Sequence, residues 1–162
     1  MTYYPDLSRY DYSDWPGMPE MKNVGWLDSA HPFPRGSTPK EFKAKLFDLC
    51  FQYAMATSGY HNCDFCPRRK DAGALKVRRK WRSIWLGTAE IHVIYRGTTY
   101  AAPNMIYHYV VDHDYRPPEE FVEAVINTDT RNVTLCLDGI PFSLIGNMDT
   151  AKAKRKWWQF WR

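Results

Sequence analysis

The segment His61-Asn62-Cys63-Asp64-Phe65-Cys66-Pro67 sets two thiols at CxxC spacing, with an imidazole two residues ahead of the first. Two intervening residues let both sulfurs reach one ion from a tight backbone turn, and Asn62, Asp64 and Pro67 suit such a turn. His108 and His113 follow about forty residues later at HxxxxH spacing, within the range of zinc-finger histidines. The chemistry expected is tetrahedral thiolate and imidazole coordination of zinc, by Cys63, Cys66 and two of His61, His108 and His113. Five residues of regular helix rotate by about 140°, so His108 and His113 cannot both face one ion from an undistorted helix. Either the last turn is broken, with His113 in the loop before Tyr115, or one of them binds and His61 completes the set.

Other chemistries fit less well. A redox dithiol usually sits at a helix N-terminus after a strand, which the residues before Cys63 do not suggest. An iron–sulfur cluster would need Cys50 and Cys136, and both fall in apolar patterns that read as core. Four protein ligands make a structural zinc, whereas three and a water make a catalytic one. The hydrolase alternative therefore takes Cys63, Cys66 and one histidine, with an acid such as Glu119 activating water. Glu90, Asp112, Asp114 and Glu120 are further acids, but no spacing singles one out. The histidine–glutamate and PCxxC order of the zinc deaminases is absent. His31, in a turn-rich loop, and His92, between Ile91 and Val93 on a predicted strand, read as structural.

The elements that must position these residues follow from pattern. Thr38-Pro39-Lys40-Glu41 predicts a helix start with Thr38 as cap and Glu41 completing a capping box. Phe42, Leu46, Leu49, Cys50 and Tyr53 share its buried face, and Gly59 is the expected terminator. Short strands are predicted over Leu75 to Leu86, and a better one over Glu90 to Tyr95 that Arg96-Gly97-Thr98 turns back into Thr99-Tyr100-Ala101. Pro103 is expected to open a helix carrying Met105, Ile106, Tyr109 and Val110, which must stop before Pro117. A further helix starts at Pro117 or Pro118 with Glu119 and Glu120 in its first turn. Val133 to Leu137 and Ile140 to Leu144 flank Asp138-Gly139 as a hairpin, its second strand placed at an edge by Pro141.

The 162 residues suffice for one domain, and 44% of them are hydrophobic. Residues 1–37 read as an extended arm packed on the domain, with Val24, Trp26, Leu27 and Phe33 as anchors. Residues 38–146 form the single domain and 147–162 a basic-aromatic tail. The fold class expected is α+β, a small antiparallel sheet with about three helices and a zinc clasp between helix ends.

Net charge is +4 and the pI near 8.8, but the cations cluster. Arg68, Arg69, Lys70, Arg78, Arg79, Lys80 and Arg82 interleave with Trp81 and Trp85, a composition compatible with nucleic acid or with a solvated strand over an aromatic core. In the tail, Trp157, Phe160 and Trp161 share a helical face behind a cationic run, which suits either docking on the domain or an anionic membrane surface. No apolar run reaches the roughly twenty residues of a membrane span, and the first residues lack the pattern of a signal peptide, so a cytoplasmic location is expected.

Val24-Gly25-Trp26-Leu27-Asp28, His31-Pro32-Phe33, Tyr60 to Cys66, Leu86-Gly87 with Glu90-Ile91, and Tyr100-Ala101-Ala102-Pro103 through His108-Tyr109 to His113-Asp114-Tyr115-Arg116-Pro117-Pro118-Glu119-Glu120-Phe121 resemble a family of small bacterial proteins of unknown function. The resemblance spans roughly residues 24–126 and implies a bacterial cytosolic protein without supplying an activity. The expectation is a zinc-stabilised binding or adaptor module for a protein partner, with a zinc-dependent hydrolase and a nucleic-acid-binding protein as alternatives.

Overall fold

In the computed structural model, the described residues are 2–11, 20–56, 59–66 and 73–129. Arg68, Arg69 and Lys70, the predicted hairpin over Val133–Leu144 with Cys136, and the C-terminal tail lie outside them. Among the described residues, three helices and six strands make an α+β fold in the order β1 (Met21–Asn23), α1 (Lys40–Leu49), β2 (Tyr53–Ala54), β3 (Leu75–Arg79), β4 (Arg82–Leu86), β5 (Glu90–Tyr95), β6 (Thr98–Pro103), α2 (Ile106–Asp112) and α3 (Glu119–Asn127).

A four-stranded sheet runs β1-β6-β5-β2, and β3 and β4 form a separate antiparallel ribbon. The main sheet is mixed, because β1 pairs with β6 in parallel while β6 and β2 both pair with β5 antiparallel. The residues expected to be an arm thus supply an edge strand. Arg96 and Gly97, both at positive φ, make the tight turn between β5 and β6, as their types predict.

The two faces of the sheet divide the chemistry. Ile91 opposite Ala102 and Val93 opposite Tyr100 join Phe42, Leu46, Leu49, Ile106, Tyr109, Phe121 and Val125 in one core under the helices. On the other face, Glu90 and His92 alternate with them and meet the N-terminal segment, where Tyr10, Met21 and Ala101 form a second cluster with Trp26 beside it. Burial on both sides explains why four consecutive β5 residues, Glu90 to Val93, are buried.

Helices α1 and α3 are each capped by a proline. Pro39 and Pro118 have extended ψ values of 145° and 142°, and each carbonyl accepts the first helical hydrogen bonds. Thr38 Oγ1 is buried without a partner among the described residues, so the expected capping box does not form; the helix begins one residue later than that motif requires. The chain leaves α1 at Leu49, well before Gly59, because residues 53 and 54 pair with Ile91 and Glu90. Pro103 ends β6 instead of opening α2, whose cap is Met105.

A candidate metal centre

Helix α2 presents His108 from its last two turns and ends at Asp112. His113 has left the helix, with φ −121° and ψ 8°, and Asp114 follows at φ 55°. This break is one of the two solutions that the HxxxxH spacing allows, and it swings His113 back toward His108. The turn is strapped from outside: Gly36 N–H donates to Asp114 O at 2.9 Å, Arg116 N–H to Pro34 O at 2.9 Å, and Arg35 Nη1 to His113 O at 3.0 Å. Nothing in the type or spacing of Pro34, Arg35 and Gly36 announces this role.

Cys63 and Cys66 arrive on the loop between β2 and β3. Cys63 Sγ lies 3.2 Å from His113 Nε2, and Cys66 Sγ lies 3.3 Å from His108 Nε2 and 3.4 Å from His113 Nε2. The two imidazole Nε2 atoms are 3.1 Å apart. All four donor atoms fall within 4.8 Å of one another, a cluster that could hold a metal ion. Zinc at ordinary bond lengths in a tetrahedral N₂S₂ shell separates sulfur and nitrogen by about 3.6 Å and the two nitrogens by about 3.3 Å. The four close donor pairs therefore need to spread by only a few tenths of an ångström.

The surroundings fix the donors' chemistry. His108 Nδ1 is 2.6 Å from Asp112 Oδ2, one helical turn on, which places the proton on Nδ1 and turns the Nε2 lone pair toward the sulfurs. Burial, and then the neighbouring His108, hold His113 below the usual histidine range, so it is a neutral donor. Burial pushes the Cys63 thiol up to about 12, against backbone N–H groups of Phe65 and Cys66 that favour the thiolate. Phe65 packs edge-on against Phe33 and Tyr109, with ring centres 5.0 and 5.6 Å apart, and encloses the His113 side.

His61 is not one of the four. Its backbone N–H donates to Gly87 O at 2.8 Å, its side chain is exposed, and it lines a cleft with Gly87 and Glu90. The approach is close enough to demand glycine: a Cβ on Gly87, which has φ 85°, would sit 2.4 Å from His61 O. Asn104 anchors the same corner, accepting from Gly87 N–H at 2.7 Å and receiving Cys50 Sγ on its carbonyl at 3.6 Å. Cys50 is thus a core thiol.

Three of the other candidate acids are occupied elsewhere. Glu119 pairs with Arg116 at the start of α3, Glu120 takes Lys22 and the Tyr100 hydroxyl, and Glu90 takes the Tyr10 hydroxyl and His92. His31 is a surface residue, bonded to Asp28 at 2.7 Å and stacked on Tyr3.

The cationic segment also divides. Arg82 Nη1 binds Asp48 at 2.7 Å and its guanidinium lies 3.9 Å from the Phe51 ring centre, pinning the ribbon to the end of α1. Lys76, Arg78, Ser83 and Trp85 share the outward face, with Lys80 and Trp81 at the tip. No helix among the described residues is long and apolar enough to cross a membrane. No curated protein and no solved structure matches the chain. A family model described as Domain of unknown function (DUF7919) matches residues 2–126, most of the sequence, and the chain belongs to that family.

Proposed function

We propose that this protein is a zinc-stabilised binding module. The observation that carries the zinc reading is the convergence of Cys63, Cys66, His108 and His113 within 4.8 Å, with Asp112 orienting one imidazole. Four protein donors fill a tetrahedral shell, the arrangement of a structural ion that joins the end of α2 to the β2–β3 loop. Metal analysis of the purified full chain should give about one zinc per molecule; less than about a tenth of an equivalent sinks the zinc reading.

A specific feature favours single-stranded nucleic acid as the partner. Trp81 and Trp85 are 82% and 53% exposed, so the cationic segment does not overlie an aromatic core. Lys76, Arg78 and Lys80 surround those rings, and Lys76 Nζ lies 5.2 Å from the Trp85 ring centre. Indole faces stack on bases of any identity, while lysine and arginine follow the phosphates. Fluorescence anisotropy with labelled single-stranded RNA and DNA should show affinity that falls steeply with salt. Absent or salt-independent binding argues for a different partner.

A further inference from the structure

The sheet face opposite the helices carries a cleft of about 240 Å³, opened between the N-terminal segment and the β4–β5 connection. Tyr4, Trp26, Met55, His61, Thr88 and Glu90 are among its lining residues. It is distinct from the metal cluster, although the segment leading to Cys63 forms one wall. At liquid density this volume holds about eight waters, enough for a small organic molecule.

Its chemistry is asymmetric. Among the described residues that line it, Glu90 is the only carboxylate and there is no lysine or arginine. The Glu90 side chain is 8% exposed, yet its hydrogen bonds from Tyr10 Oη at 2.9 Å and with His92 Nε2 at 3.2 Å both fall on Oε2. Neither of these two contacts uses Oε1. His92 brings a compensating charge only when protonated. A desolvated carboxylate is costly without a donor cation, and it repels anions from the cleft.

The aromatic walls complete the complement of a cation. The Trp26 indole N–H donates to Ala101 O at 3.1 Å, which fixes the ring, and Tyr4 meets that ring edge-on at 5.8 Å between centres. Indole and phenol faces attract ammonium and guanidinium groups, most strongly where water is excluded. Met55 brings a polarisable thioether from a backbone held at φ 47°, a conformation costly for a non-glycine residue.

We propose that this cleft binds a small organic cation, an alkylammonium or alkylguanidinium, through Glu90 Oε1 and the faces of Trp26 and Tyr4. The head group donates a charge-assisted hydrogen bond to Oε1, and its alkyl part lies against Met55 and Pro103. The assignment stands independently of the zinc and nucleic-acid readings.

The test compares four ligands sharing one alkyl chain, n-butylammonium, n-butylguanidinium, 1-butanol and butanoate, titrated into the full-length purified protein. Binding is followed by NMR on the Trp26 indole N–H and the Thr88 amide. The two cations should bind at least about tenfold more tightly than the alcohol, the scale of a charged hydrogen bond, and butanoate should not shift either signal. Equal affinities for cation and alcohol, tighter butanoate, or no shift with any cation overturns the assignment in the wild-type chain alone. Glu90→Gln should abolish the preference for cations while a folded spectrum persists. Tyr4→Leu, at the cleft rim, should weaken the cations several-fold without weakening the alcohol; an equal loss for both counts against it.

Discussion

His108 and His113 meet Nε2 to Nε2 at 3.1 Å with their rings 88° apart. With both Nε2 atoms unprotonated, imidazoles so placed aim their lone pairs at one point, and the perpendicular rings let each approach without a clash. Helix α2 supplies the first ring, and the broken turn after Asp112 supplies the second. A metal ion there is expected to be lost on Cys63→Ser, Cys66→Ser, His108→Ala or His113→Ala. His61→Ala should keep a full equivalent, because His61 faces the cleft. Metal content of the five variants checks this directly.

Asp112 should matter more than its half-exposed side chain suggests. Asp112→Asn keeps the size but weakens the grip on His108 Nδ1–H. Zinc affinity should fall by about 10- to 100-fold, the usual cost of losing such a partner, as measured by competition with a chelating dye. An unchanged affinity would mean that the helix alone orients the ring.

Acidity should oppose metal uptake. Burial holds the Cys63 thiol protonated at neutral pH, up to about 12, whereas coordination requires the thiolate. The bound state therefore carries fewer protons, so zinc binding releases protons and its affinity rises with pH. His113 is kept neutral by burial and by His108, so it adds little to that release near pH 7. Calorimetric titration in buffers of different ionisation enthalpy counts the protons.

The cations of the ribbon should separate into two kinds. Arg82→Ala removes the Asp48 pair and the stacking on Phe51 and should destabilise the fold by about 1 kcal/mol, as seen in thermal melts. Trp81→Ala and Lys80→Ala should leave the melting temperature nearly unchanged and weaken nucleic-acid binding. The opposite pattern would make the outward face structural.

Gly87→Ala places a methyl group against the His61 carbonyl in a left-handed conformation. A cost of about 1–3 kcal/mol is expected. The same change should lower zinc affinity, because the displaced carbonyl lies two residues from Cys63. Parallel measurements of melting temperature and metal affinity would reveal that coupling.

The sequence makes the α+β class, β5 with its Arg96-Gly97 turn, and the start of α3 at the Pro117-Pro118 pair legible, because each rests on local periodicity and backbone preference. The thiol pair and the two histidines were visible as types and spacings; the choice of His113 over His61 was not, since it depends on the strap from Pro34 to Gly36. Strands β1 and β2 have only three and two residues, too short for alternation to show, and exist through pairing with β6 and β5. The Thr38 capping signal was misleading because Pro39 itself takes the cap position. Tyr10 on Glu90 joins residues 80 apart, a contact no local pattern carries.

The parallel pairing of β1 with β6 also sets a timetable for synthesis. Met21 is translated long before its partner Thr99, and at ordinary elongation rates the interval is on the order of ten seconds. During that time the β1 segment and the aromatic residues around it have no sheet to join. The nascent chain must therefore shelter Tyr10 and Trp26 from premature association, and the arm-side face of the sheet closes only after the β5–β6 hairpin has left the ribosome.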